Sequence, residues 1–177
     1  MKNEYVLFLQ HPVTTEKNSY EQMIESLEAL QNFGKDVILI YPNPDPGSKK
    51  MLKAIRDFSK KYNGRCVIKN KFKNLPFESF INLLANSFCL VGNSSCGITE
   101  AYTLKKYVVD IGTRQNSRER SENVFNVSYS RESILDVLKD IEQTPSFPKI
   151  NQIYGDGNSS KKMVSILESI DLEDIVN

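Results

Sequence analysis

The sequence contains no tryptophan, one histidine and three cysteines, and these shortages exclude several kinds of site. The cysteines at 66, 89 and 96 show no CxxC spacing, so we expect no zinc site and no other metal or cofactor. Cys66 and Cys89 lie in apolar runs, which predicts that they pack as small hydrophobes in a reducing compartment. Cys96 lies at the start of a predicted helix, where a thiolate would be stabilised.

Long apolar segments and an excess of one charge are also absent. No run approaches the ~18 apolar residues of a membrane span, and the amino terminus lacks the pattern of a signal peptide. The 23 lysines and arginines nearly balance the 22 acidic residues, so neither nucleic acid nor a membrane is expected as a partner. Lys69, Lys71 and Lys73 alternate with other residues, which is typical of a solvated sheet edge. We predict a cytoplasmic protein.

Apolar runs of strand length alternate with helical patterns along the 177 residues. The runs predict buried strands at 5–9, 37–41, 66–68, 88–91, 107–111 and 124–127. Apolar residues recur at helical spacing between and after the strands, and we predict that all these stripes pack in the core, including the last, at Met163, Val164, Leu167 and Ile170. The alternation predicts one α/β domain, a Rossmann-like three-layer α/β/α fold with a parallel sheet.

Polar loops follow the predicted strands, at the edge of the sheet where ligands bind in such folds. The most informative is GNSSCGITE at 92–100. Its small residues leave backbone N–H groups exposed where a helix over 98–104 is predicted to begin, and such an end favours phosphate. Glu100 would repel phosphate but could accept two hydrogen bonds from a sugar diol, which indicates a nucleotide or sugar nucleotide. The alternative is a serine-rich turn that only caps a helix.

With these loops assembled, the sequence resembles the carboxyl-terminal half of the hydrolysing UDP-N-acetylglucosamine 2-epimerases of sialic and related nonulosonic acid biosynthesis. Five motifs carry the resemblance in order: QHPVTTE at 10–16, YPNPDPGSK at 41–49, GNSSCGITEA at 92–101, IGTRQNSRERSENV at 111–124 and YGDGNSSKKMVSIL at 154–167. The resemblance implies that residues 1–177 form the nucleotide-binding half of a two-domain glycosyltransferase-B fold, whose amino-terminal half is absent. It also implies a full-length homo-oligomer, and an isolated domain that binds UDP or a UDP-N-acetylhexosamine without activity.

The resemblance further implies roles for individual residues. Four residues match the turn that holds the diphosphate: Ser94, Ser95, Cys96 and Gly97. Glu100 matches the glutamate that binds the ribose hydroxyls. His11 matches a histidine that the family needs for activity, near the diphosphate, and Arg114 matches a cleft arginine whose planar fork suits phosphate oxygens.

Two further loops carry residues implied to lie near the nucleotide or the cleft. Asn43 matches an asparagine beside the nucleotide, and the backbone near Leu75 and Pro76 lies where the uracil edge is read. In the loop that contains Arg114, two more arginines are predicted to lie at the surface or to order the loop by pairing with neighbouring acids: Arg118 and Arg120, with Glu119 and Glu122.

The implied reaction is elimination of UDP from UDP-N-acetylglucosamine to give a glycal, then hydration with inversion at C2 to release N-acetylmannosamine. This half would stabilise the departing UDP, while the absent half acts on the sugar. The sugar could equally be a diacetylated 6-deoxy relative.

Three alternative functions remain open: half of a UDP-sugar glycosyltransferase, a non-catalytic UDP-binding module, or a cysteine hydrolase using Cys96 and His11. The glycosyltransferase is less favoured because no ExxxxxxxE pattern surrounds Glu100.

Overall fold

The structure is a computed structural model that describes residues 5–144, 146, 147, 149 and 153–170. Six strands alternate with six helices and one short 3₁₀ turn. In chain order they are β1 (Tyr5–Leu9), α1 (Ser19–Phe33), β2 (Asp36–Ile40), α2 (Ser48–Lys61), β3 (Ile68–Phe72), α3 (Phe77–Asn86), β4 (Leu90–Gly92), the 3₁₀ turn (Ser95–Gly97), α4 (Glu100–Thr103), β5 (Val108–Ile111), β6 (Val124–Val127), α5 (Arg131–Gln143) and α6 (Ser159–Ser169).

All six strands are parallel and form a single sheet in the order β3-β2-β1-β4-β5-β6. The predicted parallel sheet is confirmed, including its sixth strand. The chain builds outward from β1 to β3 in one direction and then returns to place β4 on the other side of β1. A crevice forms at such a switch point, outside the carboxyl ends of the two central strands.

Helices cover both faces of the sheet, which confirms the three-layer α/β/α prediction. Val6 and Phe8 of β1 pack in the larger core cluster, with residues of α1, α2 and α5. Leu7 and Leu9 point to the opposite face and pack with α3, α4 and the 3₁₀ turn. Because a central strand is buried on both faces, its sequence is a continuous apolar run rather than an alternating one.

Strand β3 differs from its prediction. It spans Ile68–Phe72 rather than 66–68. As the outermost strand beside β2 it leaves Lys69, Asn70 and Lys71 exposed, so a search for apolar runs misses most of it. The lysines of this segment do lie at a solvated sheet edge, as predicted.

The prediction that every apolar stripe packs in the core is wrong for α6. Met163 is 62% exposed and Leu167 is 68% exposed, and no residue of this helix is buried. The spacing of a buried stripe is present, but nothing in the described part of the chain covers it. In α3, Phe77 is likewise 67% exposed, whereas Leu84 of the same stripe is fully buried.

Gly92 allows the carboxyl ends of β1 and β4 to approach each other. Its φ is 142°, and a Cβ atom built on it would lie 1.9 Å from the carbonyl oxygen of Leu9. That oxygen also accepts a hydrogen bond from the backbone N–H of Asn93 at 3.2 Å. A side chain at position 92 would therefore push apart the two strands whose following loops flank the crevice.

We expect Gly92→Ala to lower the free energy of unfolding by about 3 kcal/mol or more, because left-handed strain and a backbone clash add together. Gly64→Ala is the matched control. Gly64 also has a positive φ, 75°, but a Cβ there meets nothing within 4 Å among the described residues. That control should lose only about 1 kcal/mol. Urea unfolding followed by circular dichroism measures both values, and equal losses would contradict the proposed contact.

Candidate functional site

An open groove of about 400 Å³ lies at the carboxyl ends of β1, β2 and β4. It occupies the switch point of the sheet, between the loops that follow these strands and the start of α3. Seven of the nine predicted site residues line it: His11, Asn43, Leu75, Ser94, Ser95, Cys96 and Glu100. Residues that are far apart in sequence are thus brought into one polar groove, although their functional roles remain predictions.

The ring of His11 is held as a neutral hydrogen-bond donor. Its Nδ1 accepts the backbone N–H of Asn43 at 3.0 Å, so the proton of the neutral ring is on Nε2. Burial, and then the nearby Arg114 guanidinium, lower the pKa of His11 from 6.5 to about 4, while Asp45 opposes this shift. His11 lines the groove, and at neutral pH it can offer an N–H there without carrying charge.

Asn93 connects the loop of His11 to the loop of Arg114. Its side chain accepts the backbone N–H of His11 at 2.7 Å and donates to the His11 carbonyl at 2.9 Å. Its own carbonyl accepts from Arg114 Nη1 at 3.1 Å and from Gln115 Nε2 at 2.9 Å. Asn93 and Gln115 are buried, so these bonds are shielded from water. Neither residue has an individual role predicted from the sequence, because a buried hydrogen-bonded link between loops has no local sequence pattern.

The turn after β4 provides exposed donors, but the predicted helix is shorter than expected. Ser95–Gly97 form a 3₁₀ turn and α4 spans only Glu100–Thr103. In the described part of the chain, the backbone N–H groups of Ser94 and Ser95 have no acceptor. Both residues line the groove, so these amides and the Ser95 hydroxyl are available to an anion there, whereas the Ser94 hydroxyl hydrogen-bonds with the Cys96 thiol. A four-residue helix contributes little macrodipole, and the individual N–H groups therefore matter more than the helix as a whole.

The prediction of a stabilised thiolate at Cys96 is wrong. Burial raises the pKa of the Cys96 thiol to about 11, and the residue belongs to the core cluster under α3. His11 is also poorly suited as its base, because Nδ1 is occupied by the Asn43 N–H and Nε2 carries the proton. The arrangement therefore disfavours the cysteine hydrolase alternative. The predicted packing of Cys89 in the core is confirmed.

Glu100 begins α4 and faces the groove, half-buried. The hydroxyl of Thr99 donates a hydrogen bond to its carboxylate, which leaves the second carboxylate oxygen for another partner. Lys73 is another charged residue of the groove lining, and it forms no ion pair within the described residues. The lining also includes four residues for which no individual role was predicted: Tyr41, Lys73, Asn74 and Phe77, whose ring is exposed.

Two predicted site residues, Gly97 and Arg114, lie beside the groove rather than in its lining. Arg114 is half-buried and holds the Asn93 carbonyl. Gly97 lies beneath the turn, where a Cβ atom would be 2.8 Å from Val108 Cγ1. Its missing side chain lets the turn pack against β5. The implied contact of these two residues with a diphosphate stays a prediction.

Arg120 orders its loop by a different partner from the one predicted. Its Nε and Nη2 donate to Asp110 Oδ2 at 3.0 and 2.8 Å, and not to Glu119 or Glu122. Burial raises the pKa of Asp110, and the Arg120 guanidinium opposes that shift. A buried carboxylate is a stronger partner than a solvated one, because leaving it unpaired would be costly. Asp110 was not recognised because it lies inside the apolar run of β5.

A larger groove of about 700 Å³ lies between the β2–β3 edge and α3. Tyr5 and Asp36, at the amino-terminal ends of their strands, are part of its lining. The lining extends to Phe72, at the carboxyl end of β3, but it includes none of the residues that follow β1 and β4 at the switch point, where doubly wound sheets bind ligands. We therefore assign the candidate site to the smaller groove.

No cluster of metal-ligating side chains occurs in the described ranges, and none of the helices described there is long and apolar enough to cross a membrane.

A family model described as UDP-N-acetylglucosamine 2-epimerase matches residues 1–168. The UDP-N,N'-diacetylbacillosamine 2-epimerase (hydrolyzing) of Legionella pneumophila is 34% identical over 167 residues, which cover 94% of this chain and 43% of that protein. The UDP-N-acetylglucosamine 2-epimerase of Neisseria meningitidis is 34% identical over 136 residues, which cover 76% of this chain and 34% of that protein. The chain thus spans less than half the length of these relatives.

The fold is also similar to that of solved enzymes. The crystal structure of Methanocaldococcus jannaschii UDP-GlcNAc 2-epimerase in complex with UDP-GlcNAc and UDP matches with a TM-score of 0.72 and 19% identity, over 94% of this chain and 45% of that one. The fold is therefore the Rossmann-like type found in halves of glycosyltransferase-B architectures. The match of the family model over nearly the whole chain, together with the two relatives, confirms the resemblance: this chain belongs to the UDP-N-acetylglucosamine 2-epimerase family.

Proposed function

We propose that this chain is the UDP-binding, carboxyl-terminal half of a hydrolysing 2-epimerase that acts on a UDP-N-acetylhexosamine. The observation that carries the proposal is the groove at the β1/β4 switch point. It gathers a neutral histidine donor, a carboxylate and two serines whose amides have no acceptor among the described residues. The amino-terminal half that would complete the enzyme is its partner in catalysis. On its own, the chain binds UDP but does not catalyse the reaction.

Each part of UDP has a matching region of the groove. The diphosphate would lie over the amides of Ser94 and Ser95 and the hydroxyl of Ser95, with His11 Nε2 donating to a phosphate oxygen. The ribose hydroxyls would donate to Glu100. The uracil would lie near the backbone of Leu75, where the exposed ring of Phe77 offers an apolar face for stacking.

In the proposed reaction, a base of the other half removes the C2 proton while the C1–O bond breaks and its electron pair leaves with UDP. Water then adds to the resulting glycal. Negative charge grows on the oxygen that links UDP to the sugar and spreads into the diphosphate. His11 stabilises this charge by hydrogen bonding and can do so without changing its protonation state, because its pKa of about 4 keeps it neutral at pH 7.

Titration calorimetry of this chain with UDP tests the proposal directly. We expect a dissociation constant of about 10 µM to 1 mM, equivalent to about 4–7 kcal/mol, because only one side of the cleft is present. Absence of binding at millimolar UDP would contradict the proposal. N-acetylmannosamine should form from UDP-N-acetylglucosamine only in a protein that also contains the other half.

Replacing the carboxylate of Glu100 should remove recognition of the ribose. We expect Glu100→Gln to weaken UDP binding about 10-fold or more, and to weaken binding of 2′-deoxy-UDP much less, because hydrogen bonds to a charged group contribute about 1.5–3 kcal/mol. Glu132→Gln is the matched control, since Glu132 also lies in the first turn of a helix and accepts from a nearby hydroxyl, that of Ser130. Equal losses for both nucleotides would count against the assignment.

The single histidine should titrate far below its usual range. We expect an NMR pKa near 4 for His11 in the folded chain, compared with 6.5 when unfolded. Because the unfolded chain takes up the proton first as the pH falls, this group's contribution to stability is full above pH 6.5 and is lost between about pH 6.5 and 4. A measured pKa of 6 or higher would contradict the buried, Asn43-bonded ring.

A further inference from the structure

Asn93 lies directly beneath the groove but does not line it. It is 1% exposed, and it follows Gly92 at the carboxyl end of β4. Its position next to the serines of the turn makes a simple turn-forming role the first interpretation. The hydrogen bonds of Asn93 show a different arrangement, because they run sideways to the loops of β1 and β5 rather than along its own turn.

The side chain of Asn93 forms a two-point contact with the backbone of His11. Its oxygen accepts the His11 N–H at 2.7 Å, and its nitrogen donates to the His11 carbonyl at 2.9 Å. Two bonds between one planar amide and one residue fix both the position and the rotation of that backbone. The imidazole, whose orientation depends on this backbone, then reaches the Asn43 N–H with Nδ1.

The backbone carbonyl of Asn93 links the same residue to a third loop, the one that follows β5. Arg114 and Gln115 both donate to it, so the guanidinium is kept close to the imidazole. Asp45, from the loop after β2, is the other charged group that acts on the ring, and the charged residues Lys73 and Glu100 line the same groove. Arg114 opposes protonation of His11 and Asp45 favours it. One residue therefore determines how the predicted phosphate donors are arranged relative to each other.

We propose that Asn93 is the positioning residue of this groove, which holds His11 with Nδ1 on the Asn43 amide and Nε2–H available to a ligand, and keeps Arg114 beside it. Asn93 itself touches no ligand and acts through these two residues. The consequence for UDP affinity rests on the proposed function. The consequence for the state of the His11 ring does not, because it follows from the hydrogen bonds of the chain alone.

The test compares Asn93→Ala with Asn123→Ala. Asn123 is a matched control because it is also buried, at 0% exposure, and its side chain also donates to a backbone carbonyl, that of Lys106 at 2.8 Å, but it does not line the groove. Both variants should lose stability, about 1–3 kcal/mol each, from the buried groups left unpaired. Only Asn93→Ala should release the His11 loop and let water reach the ring.

Two readouts separate positioning from a merely structural role. In the NMR titration, Asn93→Ala should raise the pKa of His11 by at least about one unit toward its usual value, whereas Asn123→Ala should leave it unchanged. In calorimetry, Asn93→Ala should weaken UDP binding about 10-fold or more, and the control by less than about 2-fold. If both variants give the wild-type His11 titration and equal UDP affinity, the positioning role is overturned.

Failure of the two proposals can be told apart. If the wild-type chain does not bind UDP, the proposed function fails, while the His11 titration still decides the role of Asn93. If Asn93→Ala does not fold, Asn93→Ser is measured instead. Its hydroxyl keeps a polar group in the buried position but is too short to reach both the N–H and the carbonyl of His11, so the same rise in pKa is expected and its absence contradicts the proposal.

Discussion

The close pairing of β1 with β4 at their carboxyl ends is the constraint on which the groove depends. Gly92 has no side chain, and a Cβ in its place would clash with the Leu9 carbonyl. The next residue, Asn93, donates to that same carbonyl and binds His11 with its side chain. The loops of β1 and β4 are thereby joined at the switch point of the sheet, where a crevice forms in any doubly wound fold. The groove follows from strand order together with this contact.

In the proposed function, the groove would bind an anion through neutral donors more than through charge. His11 is neutral because it is buried next to Arg114. The amides of Ser94 and Ser95, which have no acceptor in the part of the chain that the structure describes, carry only partial charges. Neutral donors that are already fixed in place need no reorganisation when charge grows on a leaving group. For such a site we propose only a modest affinity for UDP in this half alone, with the remaining contacts coming from the proposed other half of the cleft.

Much of the fold was predictable from sequence, because central parallel strands are continuous apolar runs. β1, for example, was predicted with its observed limits. β3 was not, since an edge strand can expose lysines on both sides. α6 was predicted to pack in the core because its apolar residues recur at helical spacing. That spacing indicates that one face of the helix is covered, but it does not identify the element that covers it. In the site, His11 and Asn43 were predicted through the family resemblance, and Glu100 was predicted both through that resemblance and from its position at the start of a predicted helix.

The remaining features of the site depend on three-dimensional contacts. No local sequence pattern distinguishes a buried asparagine that links two loops by hydrogen bonds, such as Asn93, from an asparagine that forms a turn. The state of Cys96 depends on burial in the core under α3, which outweighs the effect of a short turn. The partner of Arg120 was hidden within an apolar strand, because Asp110 is a single acid among buried valines and isoleucine.

A crystal structure of this chain with UDP tests the central claim most directly. We expect diphosphate oxygens about 2.7–3.2 Å from the amides of Ser94 and Ser95 and from His11 Nε2, with the ribose hydroxyls donating to Glu100. A diphosphate bound elsewhere, for example in the larger groove beside Phe72 and Asn82, or one that leaves His11 without a contact, would contradict it.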